Sequence, residues 1–413
     1  MLSAYRVLDL TTERGLLCGQ ILGDLGADVI KIEPPGGSPA RRLGPFYQDQ
    51  PHPDRSLSWW AYNRNKRSIT LDIASPEGRT ILHRLIASAQ FLSESDNPGS
   101  LATHGFGYAD LAATHPALIY ISISAFGQDG PKASYADSDL VILAAGGPLV
   151  LTGDDDRPPV RICVPQAYLH ASADAAVAAL IANHERQRSG RGQHIDVSAQ
   201  QSVAQATQSM ILAAPLGEGE IQRMAGGVKI GPLNIRLVWP AKDGHVAITF
   251  LFGTAFAHFT RRLMEWICQE GLCDEATRDR DWVAYGAFLF GGGEAIADYE
   301  RLKLVVEHFT KTKTKKALLQ GALERGLLIA PISTIDEVVD SPQLAARAYW
   351  QEMEHPELGR TVRYPGPFVK FSATPLAYRR RPPTVGEHNQ EIYRGELGFT
   401  EQQMNELQAK GVI

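Results

Sequence analysis

YRVLDLTTERGLLCGQILGDLGADVIKIE, residues 5–33, decides the fold. Tyr5–Leu10 is a short apolar run and predicts a strand. Leu17, Ile21, Leu22 and Leu25 recur at helical spacing across Gly15–Leu25. Ala27–Glu33 predicts a second strand. Working outward, Ser68–Ile73 and Leu118–Ser124 predict further strands. Pro76–Ala89 between them predicts a helix, with Ser75 as its N-cap. Strand–helix–strand units of this length indicate an α/β fold with a parallel, Rossmann-like sheet covered by helices. Ala171–Arg188 is Ala-rich and predicts a buried helix, ended by the glycines of Ser189–Gly192. Gln193–Val197 predicts another strand.

Beyond residue 221 the texture changes. Gly226-Gly227 and Pro240–Gly244 punctuate short strands, including His245–Phe250, and several helices follow to about Arg325. We therefore expect a large domain from 1–221, a smaller α+β domain from 222–325, and a C-terminal part, 326–413, returning to the large domain. That last part holds a hairpin-like stretch, Gly359–Phe371, and an amphipathic helix, Thr400–Gly411.

Composition narrows the function classes. With 41 Lys+Arg against 46 Asp+Glu, the net charge of −5 argues against nucleic acid as a partner. The longest apolar stretch, Ala171–Asn183, is broken by Asp174 and is shorter than the roughly 20 residues of a membrane span. Met1–Leu10 has no charged region followed by a long apolar core, so a secretory signal is not expected. The expected location is cytoplasmic. Cys18, Cys163, Cys268 and Cys273 are scattered, as reduced thiols would be, and no metal is expected.

Each chemical motif has a plain alternative. Glu33 ends a strand as a ribose-binding acid does, but Thr11–Gly15 is not the glycine-rich turn that a dinucleotide needs. No Gly-x-x-x-x-Gly-Lys-Ser/Thr segment exists for a phosphate loop. Asp154-Asp155-Asp156 reads as a solvated turn, and Tyr378–Arg381 as an exposed basic linker. His170 and Asp174, four apart on the Ala-rich helix, could share a face as a catalytic dyad or as a polar stripe.

Several segments together resemble the family III CoA-transferases, the group of formyl-CoA transferase, carnitine CoA-transferase and 2-methylacyl-CoA racemase. They are Val7–Thr11 (VLDLT), Asp24–Glu33 (DLGADVIKIE), Asn63–Ser68 (NRNKRS) and Ser75–Gly78 (SPEG). Ser189–Gln193 (SGRGQ), Ser341–Leu344 (SPQL), Glu354–Gly359 (EHPELG) and Gly386–His388 (GEH) follow in family order. The resemblance implies an interlocked dimer. It also implies coenzyme A thioesters as substrates, with no cofactor held covalently. In this chemistry an Asp carboxylate attacks the donor thioester and forms an anhydride while CoA leaves as thiolate. The thiolate then gives an aspartyl-CoA thioester, and the acceptor acid takes over the CoA.

Counted back without a gap from the Gly-Arg-Gly-Gln segment, Tyr168 stands where that Asp belongs. A phenol has a pKa near 10 and is about 0.1% ionised at pH 7. Asp174 lies nearly two helical turns further on, roughly 9 Å along the axis. Other departures agree. The family Val-Glu-Asn-Phe is Ser93-Glu94-Ser95-Asp96 here, and a CoA-contacting Arg becomes Thr103. Another basic position is Pro34, and the Ala-Gly-Pro turn of the first helix is Arg14-Gly15-Leu16, one residue shorter. The racemase His falls near Ser138. Lost arginines remove charge-assisted bonds to the CoA phosphates, and Asp96 adds repulsion. Lys66 and Arg67 remain as candidate CoA-binding residues.

The expectation is a catalytically silent subunit of a heteromeric CoA-transferase, partnered by a sister chain that carries the Asp. The resemblance extends to two-subunit members that transfer CoA from succinyl-CoA to benzylsuccinate in anaerobic aromatic degradation, although no residue here reads a benzyl group. The alternatives are an active acyl-CoA isomerase or lyase using Tyr168 or His170, and an acyl-CoA-sensing binding protein.

Overall fold

The computed structural model describes residues 1–217, 223–230, 233–291 and 293–413. The chain forms two compact units. One comprises Met1–Leu149, Ile162–Leu212 and Ala345–Ile413; the other comprises Val150–Arg161 and Ala213–Leu344. The boundary expected at 221–222 lies outside the described residues.

The first unit is built on a six-stranded parallel sheet of β1 (Arg6–Asp9), β2 (Asp28–Glu33), β3 (Lys66–Thr70), β4 (Phe91–Glu94), β5 (Ile119–Ser124) and β6 (His194–Ser198). Their spatial order is β3-β2-β1-β4-β5-β6. Its helices include α1 (Leu16–Asp24), α2 (Leu57–Tyr62), α3 (Pro76–Ile86), α4 (Tyr108–Thr114), α5 (Asp139–Gly146) and α6 (Ala167–Ser189). Side chains alternate across the sheet. Val7, Val29, Ile119, Ile121 and Ile123 face one core with Leu22 of α1, Ile142 of α5 and Ala171, Ala175, Ala179 and Ala182 of α6. Leu8, Ile30, Ile69, Leu92 and Tyr120 face the other, with Leu82 and Leu85 of α3 and Met404 and Leu407 of the C-terminal helix Glu401–Ala409. Burial on both faces explains the successive apolar residues of β1, β2 and β5, Val7-Leu8, Val29-Ile30 and Ile119-Tyr120-Ile121.

Ser75 caps α3 as expected, its Oγ accepting from the Gly78 N–H at 3.0 Å. β4 has no counterpart in the sequence reading, because Phe91–Glu94 carries a single pair of apolar residues before Ser93. The Ala-rich helix ends at Gly190 in the left-handed conformation, φ 73°. It is buried only along its alanine face; Val177, Leu180 and Ile181 are exposed. This narrows the expectation of a buried helix to one buried along a single face. The C-terminal hairpin starts earlier than expected, pairing Trp350–His355 with Arg360–Pro365.

The second unit holds a three-stranded antiparallel sheet of Val238–Ala241, Gly244–Ile248 and Ile329–Pro331, with helices that include Ala257–Gln269, Gly293–Lys311 and Lys315–Arg325. Trp239, Phe250, Trp282, Tyr299 and Phe309 form its aromatic core. Among the described residues no helix is long and apolar enough to cross a membrane.

Candidate functional site

The strand order reverses between β1 and β4, and in such sheets ligands bind at the carboxyl ends of the strands beside that switch. The segments that leave those ends are Leu10–Gly15 after β1, Ser95–Asn97 after β4, and the irregular stretch before α5. The first and last of these segments, with Ala40, Leu43, α1, α2 and the start of α6, line a cavity of about 440 Å³. Leu16, Leu17, Leu43, Val164 and Leu169 give it apolar walls. Arg14, Asp137, Asp139 and Tyr168 give it a polar end.

Tyr168 lies in the first turn of α6. Its hydroxyl donates to Asp137 Oδ1 at 2.7 Å, and Arg14 Nη2 meets Asp137 Oδ2 at 3.0 Å. Arg14 Nη1 also donates to Asn97 Oδ1 at 3.2 Å and to the Ser95 carbonyl at 3.4 Å. Burial lifts the Tyr168 phenol well above its ordinary value; the bond to Asp137 acts in the same direction, and Arg14 opposes both. The phenol is therefore a hydrogen-bond donor at neutral pH rather than a base.

The start of α6 is capped from a distance. Asp139 Oδ1 accepts from the backbone N–H groups of Gln166 at 2.6 Å and Ala167 at 2.8 Å. A carboxylate at that end of a 23-residue helix satisfies donors that the helix leaves open and meets the positive end of its dipole. Two intrachain carboxylates thus occupy the groups in this cavity best suited to hold an anion.

Glu94 closes β4 on the opposite face of the sheet from α6. It stands in register with Ser122, whose Oγ lies 3.0 Å from His194 Nε2. Burial pushes the Glu94 carboxyl up to about 7, against the hydrogen bond from Ser122.

The cations expected to hold CoA are used inside the fold. Lys66 is fully buried, and its Nζ donates to Asp9 Oδ2 at 2.8 Å, the Leu16 carbonyl at 2.8 Å and Asn63 Oδ1 at 2.9 Å. An ammonium has three donors, so none is left for a phosphate. Lys31 takes the other side of Asp9, 3.2 Å from Oδ1. Burial alone would raise the Asp9 carboxyl, but the two ammonium groups hold it at about 2. Burial also pulls the Lys66 ammonium down, with Asp9 opposing. The three acceptors around Nζ fix it in the charged form.

Arg67, next along the strand, points the other way. It grips Asp28, the first residue of β2, with Nε at 2.9 Å and Nη2 at 2.6 Å, and reaches Glu391 and Glu396 with Nη1. These bonds lie at the amino end of the sheet, away from the switch.

His170 is exposed, and Asp174 accepts from Gln205 at 3.4 Å, so the two do not close into a dyad. Ser138 caps α5 through the Val141 N–H at 3.3 Å. Arg379 and Arg381 are not a free basic linker: Arg379 donates to the Gly23 and Gly26 carbonyls, and Arg381 pairs with Glu357 and Glu387. Sequence reasoning noted Arg14 only as a departure and missed Asp137 altogether. Asp137 and Tyr168 are 31 residues apart, and no periodicity or spacing joins them.

The CoA-transferase family III profile matches residues 2–389, and the chain belongs to that family. Succinyl-CoA--D-citramalate CoA-transferase of Chloroflexus aurantiacus is 35% identical over 416 residues, covering 100% of this chain and 98% of the relative. The BbsE subunit of succinyl-CoA:(R)-benzylsuccinate CoA-transferase from Thauera aromatica is 33% identical over 412 residues, with the same coverage of each. Among solved structures, a CaiB/BaiF family protein from Brucella suis superposes with a TM-score of 0.80 at 29% identity. That match covers 95% of this chain and 98% of the other.

Proposed function

We propose that this chain is a subunit of a hetero-oligomeric CoA-transferase, and that a sister chain with an Asp at the position of Tyr168 carries the covalent chemistry. One observation bears the reading: the side chain at the start of α6 is a phenol kept protonated and bonded to Asp137. Attack on a thioester needs an ionised oxygen that can then hold an acyl group. A phenol lifted further above neutrality supplies neither at useful concentration. The same lift disfavours an isomerase or lyase using Tyr168 as base, and His170 stands exposed without Asp174 behind it.

Support for a partner comes from the exposed Val177, Leu180 and Ile181 of α6, an apolar row that a second chain would cover. The BbsE relative is itself a named subunit. The donor in this reading is succinyl-CoA, which both relatives' names share. The acceptor is a carboxylic acid with an apolar substituent, such as benzylsuccinate, matching the leucine-lined wall.

Native mass spectrometry of the protein from its own host tests the assembly. Two chains of different mass in one particle are expected. Borohydride trapping during turnover should then mark an Asp of the sister chain and leave this chain unmodified. A homodimer that transfers CoA without a sister would sink the proposal. Tight acyl-CoA binding with no transfer in any combination would replace it with a sensing role.

A further inference from the structure

We propose that Arg14 and the Tyr168 hydroxyl form a carboxylate-binding subsite, that Asp137 fills it in the free chain, and that a carboxylic acid with an apolar body takes its place. A guanidinium N–H and a phenol O–H converge on the two oxygens of one carboxylate, at 3.0 and 2.7 Å. Two donors from different elements aimed at one carboxylate are the geometry of a receptor for that group. Arg14 is itself fixed by Asn97 and the Ser95 carbonyl, so the receptor is held in place without its occupant.

The occupant, like Arg14, lies outside the regular elements. Asp137 lies on the irregular segment between β5 and α5, whereas Tyr168 is on α6. The exchange is neutral in charge: a ligand carboxylate enters as the Asp137 carboxylate swings to solvent. Entry without displacement would crowd two anions on one guanidinium, a like-charge contact. The roughly 440 Å³ beside the subsite, walled by Leu16, Leu17, Leu43 and Leu169, then receives the apolar part of the acid.

The inference rests on the preceding reading only in taking this cavity as the place where a substrate acid is held. The two can fail separately, because binding is measured here without turnover.

The test is calorimetric titration of the full chain with 3-phenylpropanoate and with acetate. A tethered competitor acts at an effective concentration of roughly millimolar or more, so its removal has a large effect. Asp137→Ala should bind 3-phenylpropanoate about tenfold or more tightly than the unaltered chain, and acetate more weakly than 3-phenylpropanoate. Adding Arg14→Gln to that variant should abolish the gain. Asp137→Asn, which keeps the side-chain volume, should show a smaller gain and covers the case in which the alanine variant fails to fold. Equal affinity in the unaltered chain and a folded Asp137 variant would overturn the proposal. So would tight binding that survives Arg14→Gln.

Discussion

Two clusters of opposite charge flank the carboxyl end of β1, and they differ in what surrounds them. Asp9, Lys31 and Lys66 are sealed, with side chains no more than 1% exposed. Arg14 and Asp137 stand at a cavity, with side chains 23% and 8% exposed. The sealed cluster uses its lysine donors on protein atoms, so its charge belongs to the fold. The open cluster holds one carboxylate with two donors beside empty space, so its charge can meet a ligand. By residue type alone, Lys66 is as good a phosphate ligand as Arg14 is a carboxylate ligand; surroundings separate them.

Substitutions can sharpen or break that contrast. The largest effect is expected in the sealed cluster. Lys66→Met leaves Asp9 buried with one ammonium and should cost about 3–5 kcal/mol in urea unfolding. The pH dependence has a definite sign. Asp9 is depressed to about 2, below its unfolded value near 3.9, so its contribution is complete above about pH 4 and disappears as pH falls through about 2. In Lys66→Met the acid unfolding midpoint should therefore move upward. A change below about 1 kcal/mol would mean that the cluster is not sealed.

Glu94 should behave in the opposite sense. Its folded value of about 7 lies above the unfolded value near 4.3, so the folded chain holds the extra proton in between. Stability from this group is present at low pH and is lost as pH rises from about 4 to 7. Glu94→Gln keeps an acceptor for the Asp96 N–H and should stabilise the chain by about 2 kcal/mol at pH 8, with no gain at pH 4. Thermal melts at the two pH values decide it.

In the open cluster, Arg14→Gln should cost about 1 kcal/mol or less, because solvent screens a pair that reaches the surface. A loss comparable to that of Lys66→Met would erase the distinction. The smallest effect is expected from Tyr168→Asp. It places a second carboxylate beside Asp137 and, in the proposed reading of a silent subunit, supplies none of the CoA contacts expected to be lost, so transfer by this chain alone should stay undetectable. Full activity from that one change would show the rest of the site to be intact.

The parallel sheet was legible because β1, β2 and β5 are apolar runs set off by helical spacing, and because Ser75 announces its helix with a side chain. β4 was not legible: four residues with two apolar ones do not rise above loop texture. Alanine-rich, largely apolar sequence suggested a buried helix over Ala171–Arg188, yet only its small-residue face meets α1 and the sheet. The position of Tyr168 was readable by counting from Gly190-Arg-Gly-Gln193, a local relation. Its partner was not, since Asp137 reaches it only through the folded path of β5, α5 and α6.

The sequence by itself determined the class of fold, the family order of its segments and the absence of an Asp at residue 168. These depend on periodicity and on spacing along the chain. Only the tertiary structure decided that Lys66 is sealed, that Arg67 lies at the far end of the sheet, and that Arg14 and Asp137 line the cavity. Burial and pairing depend on which distant segments converge, and long-range convergence leaves no local mark in a single sequence.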